Sequence, residues 1–360
     1  MDLELTDEQT WLAQSVEQLL AQSPGVETWP ALVEFGGLAI ASGEDGLGAV
    51  ELVLVGRALG QSLATVPFVE TAAARYATRM HASPEHPAFA ALHGGEGVVA
   101  LCLLEPGAGW GLVGCGTSVK SRNAGVTVID GHKVAVHHAN IAGQLLVLYS
   151  DGEDRRLALI ERDATGVKLT PTASIDGSLP TAAVGLAGVE VPDGHTLAPD
   201  QSEAVLGRLL SIGAVLAASE AVGAAAKLVE LARDYAGQRR QFNRSIGSFQ
   251  ALRHLLADMH VKQTSAWSTV LFAAAALEER IEGAGRTASV AKAYASRATL
   301  EVAHGALQVF GGIAFTAEHP AHRFLRRILV RGGQFGDARH HERMIGRQLV
   351  AAARREELVA

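Results

Sequence analysis

Cysteine is scarce in this chain. Only Cys102 and Cys115 occur among 360 residues, with no CxxC spacing. That excludes a disulfide framework and a cysteine-based metal knuckle, and predicts two small buried hydrophobes in a reducing compartment. Long basic runs are also missing, and the formal net charge is −7. The electrostatic footprint of a nucleic-acid binder, or of a protein held on an anionic membrane, is therefore lacking. The longest uncharged apolar runs, "LLSIGAVLAAS" and "TSAWSTVLFAAAAL", fall short of the roughly 20 residues needed to span a bilayer. The start, "MDLELTDEQT", is acidic where an export signal is basic, which predicts a cytoplasmic protein. What remains is ordinary globular composition, 48% hydrophobic and 19% charged, with enough length for the cores of two or three domains.

The texture of the chain changes twice. Residues 1–97 read as helices. Thr6 with Gln9 forms a capping box, and Trp11, Leu12, Ser15, Val16, Leu19 and Leu20 fall on one helical face. A second helix is expected across "GAVELVLVGRALGQSLA", ending before Pro67. Residues 98–197 carry short β-rich runs separated by Gly, Asp, Asn and Pro, the pattern of a small antiparallel sheet or barrel. "PDGHTLAPD" then serves as a linker. Residues 201–360 hold four long helices, near 202–237, 249–283, 286–310 and 338–356, rich in interior alanine that lets helices approach closely. The fold class is α+β multidomain: an N-terminal helical domain, a central antiparallel β domain and a C-terminal four-helix bundle.

Two segments carry the chemistry. In "DYAGQRRQFNRSIGSFQALRHLLADM", Arg239 and Arg240 end one long helix and Gln250 opens the next. Taken alone, this is an arginine pair complementing a helix dipole. In "LQVFGGIAFTAEHP", a helix ends in a double glycine that permits positive φ or close backbone approach. Taken alone, this is a helix C-cap. Adjacent histidines occur at His137-His138 and His340-His341, without metal-ligand spacing, so surface or hydrogen-bonded side chains are expected, with the two rings of each pair pointing apart. His319 and His322 flank a turn and read as structural.

Together, and in this order and spacing, the two segments resemble the acyl-CoA dehydrogenase family. The matching positions are Arg239, Gln241, Phe242, Phe249 and Gln250, then Gln308, Gly311, Gly312, Phe315 and Arg326; "EPGAG" at Glu105–Gly109 matches a third family motif. The resemblance implies the three-part acyl-CoA dehydrogenase fold, with FAD lying between subunits. It assigns the grip on a neighbour's FAD to Arg239, Phe242, Gln250, Gln308, Gly311 and Gly312. The residue types suit that task. A guanidinium matches a pyrophosphate, amides both donate and accept, glycines admit the dinucleotide, and an aromatic packs on its rings.

The departures from the family pattern are systematic. Leu104 stands where relatives carry threonine, and Trp110-Gly111 where they continue with serine and aspartate. The flavin-facing strand runs Lys133, Val134, Ala135, Val136, His137 in place of lysine, any residue, tryptophan, isoleucine, threonine. The position of the catalytic glutamate is taken by Phe335, before Gly336. The alternative family position, on the first long bundle helix, falls near Gly213, with no carboxylate until Glu220. Asp337 is the nearest carboxylate to the empty slot.

What serves the chain's own site is thus lost, and what reaches a neighbour's site is kept. The pattern resembles the non-catalytic subunit of heteromeric α2β2 acyl-CoA dehydrogenases of actinobacterial steroid and cholesterol side-chain breakdown. It implies FAD shared with a related chain that carries the glutamate, an acyl-CoA substrate desaturated between its α and β carbons, and electron-transfer flavoprotein as acceptor. Such a chain alone lacks catalytic residues and is inactive. Two other readings stand beside it: a flavin-dependent monooxygenase on the same fold, and a homotetrameric dehydrogenase with Asp337 as base.

Overall fold

The computed structural model describes residues 3–23, 25–81, 86–94, 97–112, 114–123 and 125–357, so the first two residues of the acidic start lie outside it. In chain order the helices α1 (Asp7–Gln22), α2 (Thr28–Glu34), α3 (Gly37–Ser42), α4 (Ala49–Ser62), α5 (Phe68–Thr78) and α6 (Pro87–His93) come first. The strands β1 (Val99–Cys102), β2 (Ser118–Asn123), β3 (Val126–His137), β4 (Gln144–Asp151), β5 (Asp154–Glu161), β6 (Val167–Thr172), β7 (Thr181–Pro192) and β8 (Thr196–Leu197) follow. Then come α7 (Ser202–Gln238), a short hairpin of β9 (Arg240–Gln241) and β10 (Arg244–Ser245), α8 (Gln250–Glu278), α9 (Ala284–Phe310), α10 (Ala321–Gly333) and α11 (Ala338–Glu357). The four long C-terminal helices lie where the sequence puts them, with the shorter α10, which carries Arg326, between the last two.

The chain forms two compact units that cut across sequence order. One comprises residues 1–28, 49–64 and 214–360, the other 29–48 and 65–213.

In the helical unit, α1 opens with both bonds of the capping box, Thr6 Oγ1 accepting from the Gln9 amide and Gln9 Oε1 from that of Thr6. Its buried face is Leu12, Val16 and Leu20. Trp11 is not part of that face and is 65% exposed, because it sits about 100° around the helix from Leu12. Helices α4 and α7 cross with backbones in contact. A Cβ on Gly60 would lie 1.9 Å from the Glu220 carbonyl oxygen, and one on Gly223 would lie 2.0 Å from that of Arg57. Alanine is also the main filler further along, where Ala224, Ala225, Ala232 and Ala236 of α7 join Met259 of α8 and Val302, Ala303 and Ala306 of α9 in one core. Small side chains here exchange apolar bulk for close helix approach.

The second unit is built on one sheet, ordered β6-β7-β3-β2-β4-β5-β8, with β1 paired to β4. Most pairings are antiparallel, as expected, but β1–β4 and β2–β4 are parallel, so the sheet is mixed. The long β3–β7 ladder slips register between Ile129 and Gly131 and again between Lys133 and Val136, with Ala135 at φ 52° in the second slip. Ile129, Val136, Leu145, Val147, Val184 and Val189 belong to its core. Cys102 is buried there, and burial pushes its thiol up to about 12; Cys115 is half-buried, and both thiols are free.

Helix α7 corrects one expectation. The run "LLSIGAVLAAS" lies inside a helical stretch, Pro199–Gln238, whose length and hydropathy suffice to cross a membrane, and 83% of its most apolar window is buried within the protein. Its apolar character is that of a core helix.

Candidate functional site

The six residues expected to grip a cofactor gather at one end of the helical unit. Tyr235, in the last turn of α7, meets Phe310, the last residue of α9, edge-on at 5.5 Å between ring centroids. Phe310 in turn packs on His319 at 4.4 Å, and His319 Nδ1 accepts from the Ala321 amide, so His319 is structural as expected. Between α7 and α8 the chain makes a two-residue hairpin turn. Gln241 pairs with Arg244, while Phe242 and Asn243 both take left-handed φ, 52° and 65°. That is the primed turn that matches strand twist. It costs strain at a phenylalanine and leaves that ring 87% exposed at the tip. Phe249 packs beneath, 6.2 Å from Phe242 and with the Arg244 guanidinium 3.9 Å above its ring centre.

Arg239, Gln250 and Gln308 are exposed, and among the described residues none of their side chains makes a hydrogen bond or ion pair. Gly311 has φ 65°, and a Cβ on either Gly311 or Gly312 would meet nothing within 4 Å. Phe315 is 79% exposed. The end of the unit therefore presents free donors, open glycine backbone and two uncovered aromatic rings, a donor set that fits a dinucleotide's pyrophosphate, ribose and rings.

The turn after α10 is the opposite case. Phe335 occupies it at φ 58°, only 2% exposed, and Gly336 follows at φ 107°. Both candidate carboxylates are committed elsewhere. Asp337 is exposed, and its Oδ1 accepts the His340 amide at 2.7 Å, capping the start of α11. Glu220 on α7 is buried between two buried guanidinium groups, with Oε1 2.7 Å from Arg327 Nη1 and Oε2 3.0 Å from Arg331 Nε. Arg327 also donates to the Ala64 carbonyl at 2.9 Å.

His137, His138 and His341 are buried, and His341 is hydrogen-bonded as expected, but the His340 and His341 rings meet at 5.2 Å instead of pointing apart. His341 lies under the Phe335 turn, its Nε2 3.0 Å from the Phe335 carbonyl oxygen. Lys292 of α9 is enclosed beside it and donates to the Arg331 and Gly332 carbonyls. The sequence reading missed Lys292, although it interrupts a buried stripe of Ala288, Ala295 and Thr299 at helical spacing.

In the β unit, the "EPGAG" glutamate is a structural anion. Glu105 accepts from Lys133 Nζ at 2.6 Å and from the Thr117 amide at 2.9 Å, and the Gly116 amide donates to its other oxygen. Burial alone would raise its pKa, but these hydrogen bonds outweigh it and hold the carboxyl near 2. Lys133 is fully buried, and the next residue, Val134, donates its amide to the Leu104 carbonyl at 2.9 Å. The substituted position Leu104 is thus tied to the strand that carries the other departures. His137 closes the same strand and is buried.

Residues 203–350 match the model of the acyl-CoA dehydrogenase C-terminal domain. The chain is 30% identical to benzylmalonyl-CoA dehydrogenase of Aromatoleum aromaticum over 66% of its length, a segment that spans 65% of that relative, just under two thirds. It is 29% identical to acyl-CoA dehydrogenase IpdE2 of Mycobacterium tuberculosis over 87% of its length and 80% of that protein's. Its fold matches a variant of the steroid ACAD Tcur3481-Tcur3483 with TM-score 0.87 and 24% identity, over 96% of this chain and 99% of that one.

Proposed function

We propose that the chain, whose residues 203–350 match the acyl-CoA dehydrogenase C-terminal domain, is the non-catalytic subunit of an FAD-dependent acyl-CoA dehydrogenase. It completes the FAD site of a related chain that carries the catalytic glutamate, in an α2β2 assembly. The observation that carries this reading is the Phe335 turn: a buried phenyl ring stands in the base's place, and Glu220 and Asp337 are each engaged in structural bonds. The exposed set at the end of α7 and α9 supports the second half of the reading. Arg239 would hold the pyrophosphate, Gln250 and Gln308 the ribose and phosphate oxygens, and Gly311 and Gly312 would let the backbone approach, with Phe242 packed on the dinucleotide.

When bound, FAD supplies the hydride acceptor for desaturation of an acyl-CoA. The proton would leave to a carboxylate of the partner chain, and an electron-transfer flavoprotein would be the acceptor. A positioned base contributes roughly 10²–10⁴ in rate, so this chain alone is expected to be close to silent. A steroid side-chain thioester is the substrate class suggested by the steroid enzyme whose fold it shares.

Arg239→Ala tests the assignment. In the assembled complex it should weaken FAD binding about 10–100-fold, the loss of a charge-assisted hydrogen bond of roughly 1.5–3 kcal/mol, without dissociating the chains. FAD titration of the apo-complex by fluorescence reads this directly. Unchanged affinity in the variant would mean that the exposed set serves something other than the cofactor.

A further inference from the structure

The Phe335 turn is held from beneath by titratable groups that the cofactor role does not use. Lys292, fully buried on α9, donates Nζ to the Arg331 carbonyl and, at 3.2 Å, to that of Gly332, near the end of α10. Ser296, one helical turn on, donates to the same Gly332 oxygen at 3.4 Å. On the other side, His341 Nε2 meets the Phe335 carbonyl at 3.0 Å. A carbonyl only accepts, so Nε2 carries the imidazole proton and Nδ1 carries none. That Nδ1 is buried and has no hydrogen-bond partner among the described residues. The turn is pressed onto these groups, since a Cβ on Gly336 would lie 2.8 Å from His341 Nε2.

We propose that His341 is the positioning residue of the Phe335 turn, and that the turn is a proton-sensitive latch, closed while the imidazole is neutral and released when it is protonated.

A proton added to His341 Nδ1 finds no acceptor and is enclosed with cations. The charged groups facing the pair come from every neighbouring element. Arg331 of α10 and Lys292 itself face it, as does His340 of α11, beside Arg343 and Arg347. The carboxylate acting on both is Asp337, which is exposed, while Glu220 of α7 is taken by Arg327 and Arg331. Burial first, then Arg331, lowers Lys292 to about 7, and burial, then Lys292 and His340, lowers His341 to about 4. The latch does not depend on the cofactor assignment, because every group in it lies within this chain.

Hydrogen exchange of the amides from 334 to 341, corrected for the intrinsic rate and measured on the protein in its isolated oligomeric form, tests it. Between pH 7.5 and pH 5.0 the opening equilibrium should rise about 30-fold, the factor by which an opened His341 regains its ordinary affinity for a proton. His341→Asn should abolish the rise. The wild-type measurement is sufficient by itself if a variant fails to fold. Corrected exchange that is flat across this interval would overturn the proposal. So would opening free energies at 334–341 equal to those of α9, α10 and α11, which is exchange by global unfolding and not a latch.

Discussion

Glu220→Ala should cost about 3–5 kcal/mol of stability, because it removes the carboxylate that two buried guanidinium groups share. Glu220, Arg327 and Arg331 are each 1% exposed or less, so water cannot take over the lost interaction. The damage extends along the chain, since Arg327 also ties the Ala64 carbonyl after α4, and Arg331 reaches Gln334 in the turn. Glu220→Gln should cost less, as the amide oxygen still accepts from Arg327. Urea unfolding followed by circular dichroism measures the difference. A midpoint unchanged by Glu220→Ala would show that the arginines find other partners and that the triad does not organise this unit.

The second large effect is a pH dependence with its sign fixed by burial. Lys292 is lowered from 10.5 to about 7 in the folded protein, mainly by burial and then by Arg331. Between those two values the unfolded chain keeps a proton that the folded chain has shed. Stability must then rise with pH across that window and fall as pH drops towards 7. From pH 7 to pH 9 the gain is about 2 kcal/mol. Lys292→Met should remove this rise, whatever it does to stability at a single pH. His341 acts in the same direction at lower pH, where its folded pKa of about 4 lies below the ordinary 6.5 and stability is lost as pH falls through that interval. Parallel stability curves for wild type and Lys292→Met would contradict the account of a buried, proton-poor amine.

Much of this was legible in the sequence, for physical reasons that differ from element to element. Helix ends with local signals were readable: the Thr6–Gln9 box, the double glycine after α9, and the alanine spacing of α7 to α9. Strand content was readable from β-rich runs, whereas the parallel pairing of β1 and β2 with β4 was not, because it depends on partners far apart in sequence. Trp11 misled because hydrophobicity was taken for burial. The His340–His341 pair misled in one respect, because adjacency was taken to turn the two rings apart. The residues expected to grip a cofactor were named from the family resemblance, and the structure adds that they face solvent together. No sequence signal marks Phe335 as left-handed, since that backbone is imposed by Lys292, His341 and the cap of α11 acting from outside the turn.

Bound FAD per chain is the most direct measurement of the central claim, taken on the purified protein alone and after co-expression with a related chain bearing the glutamate. The account predicts flavin-free or insoluble protein alone and about one FAD per pair of chains in the complex, the partner's site being stabilised by ligand linkage. One FAD per chain in the protein alone would contradict it, and would place a working flavin site within this chain.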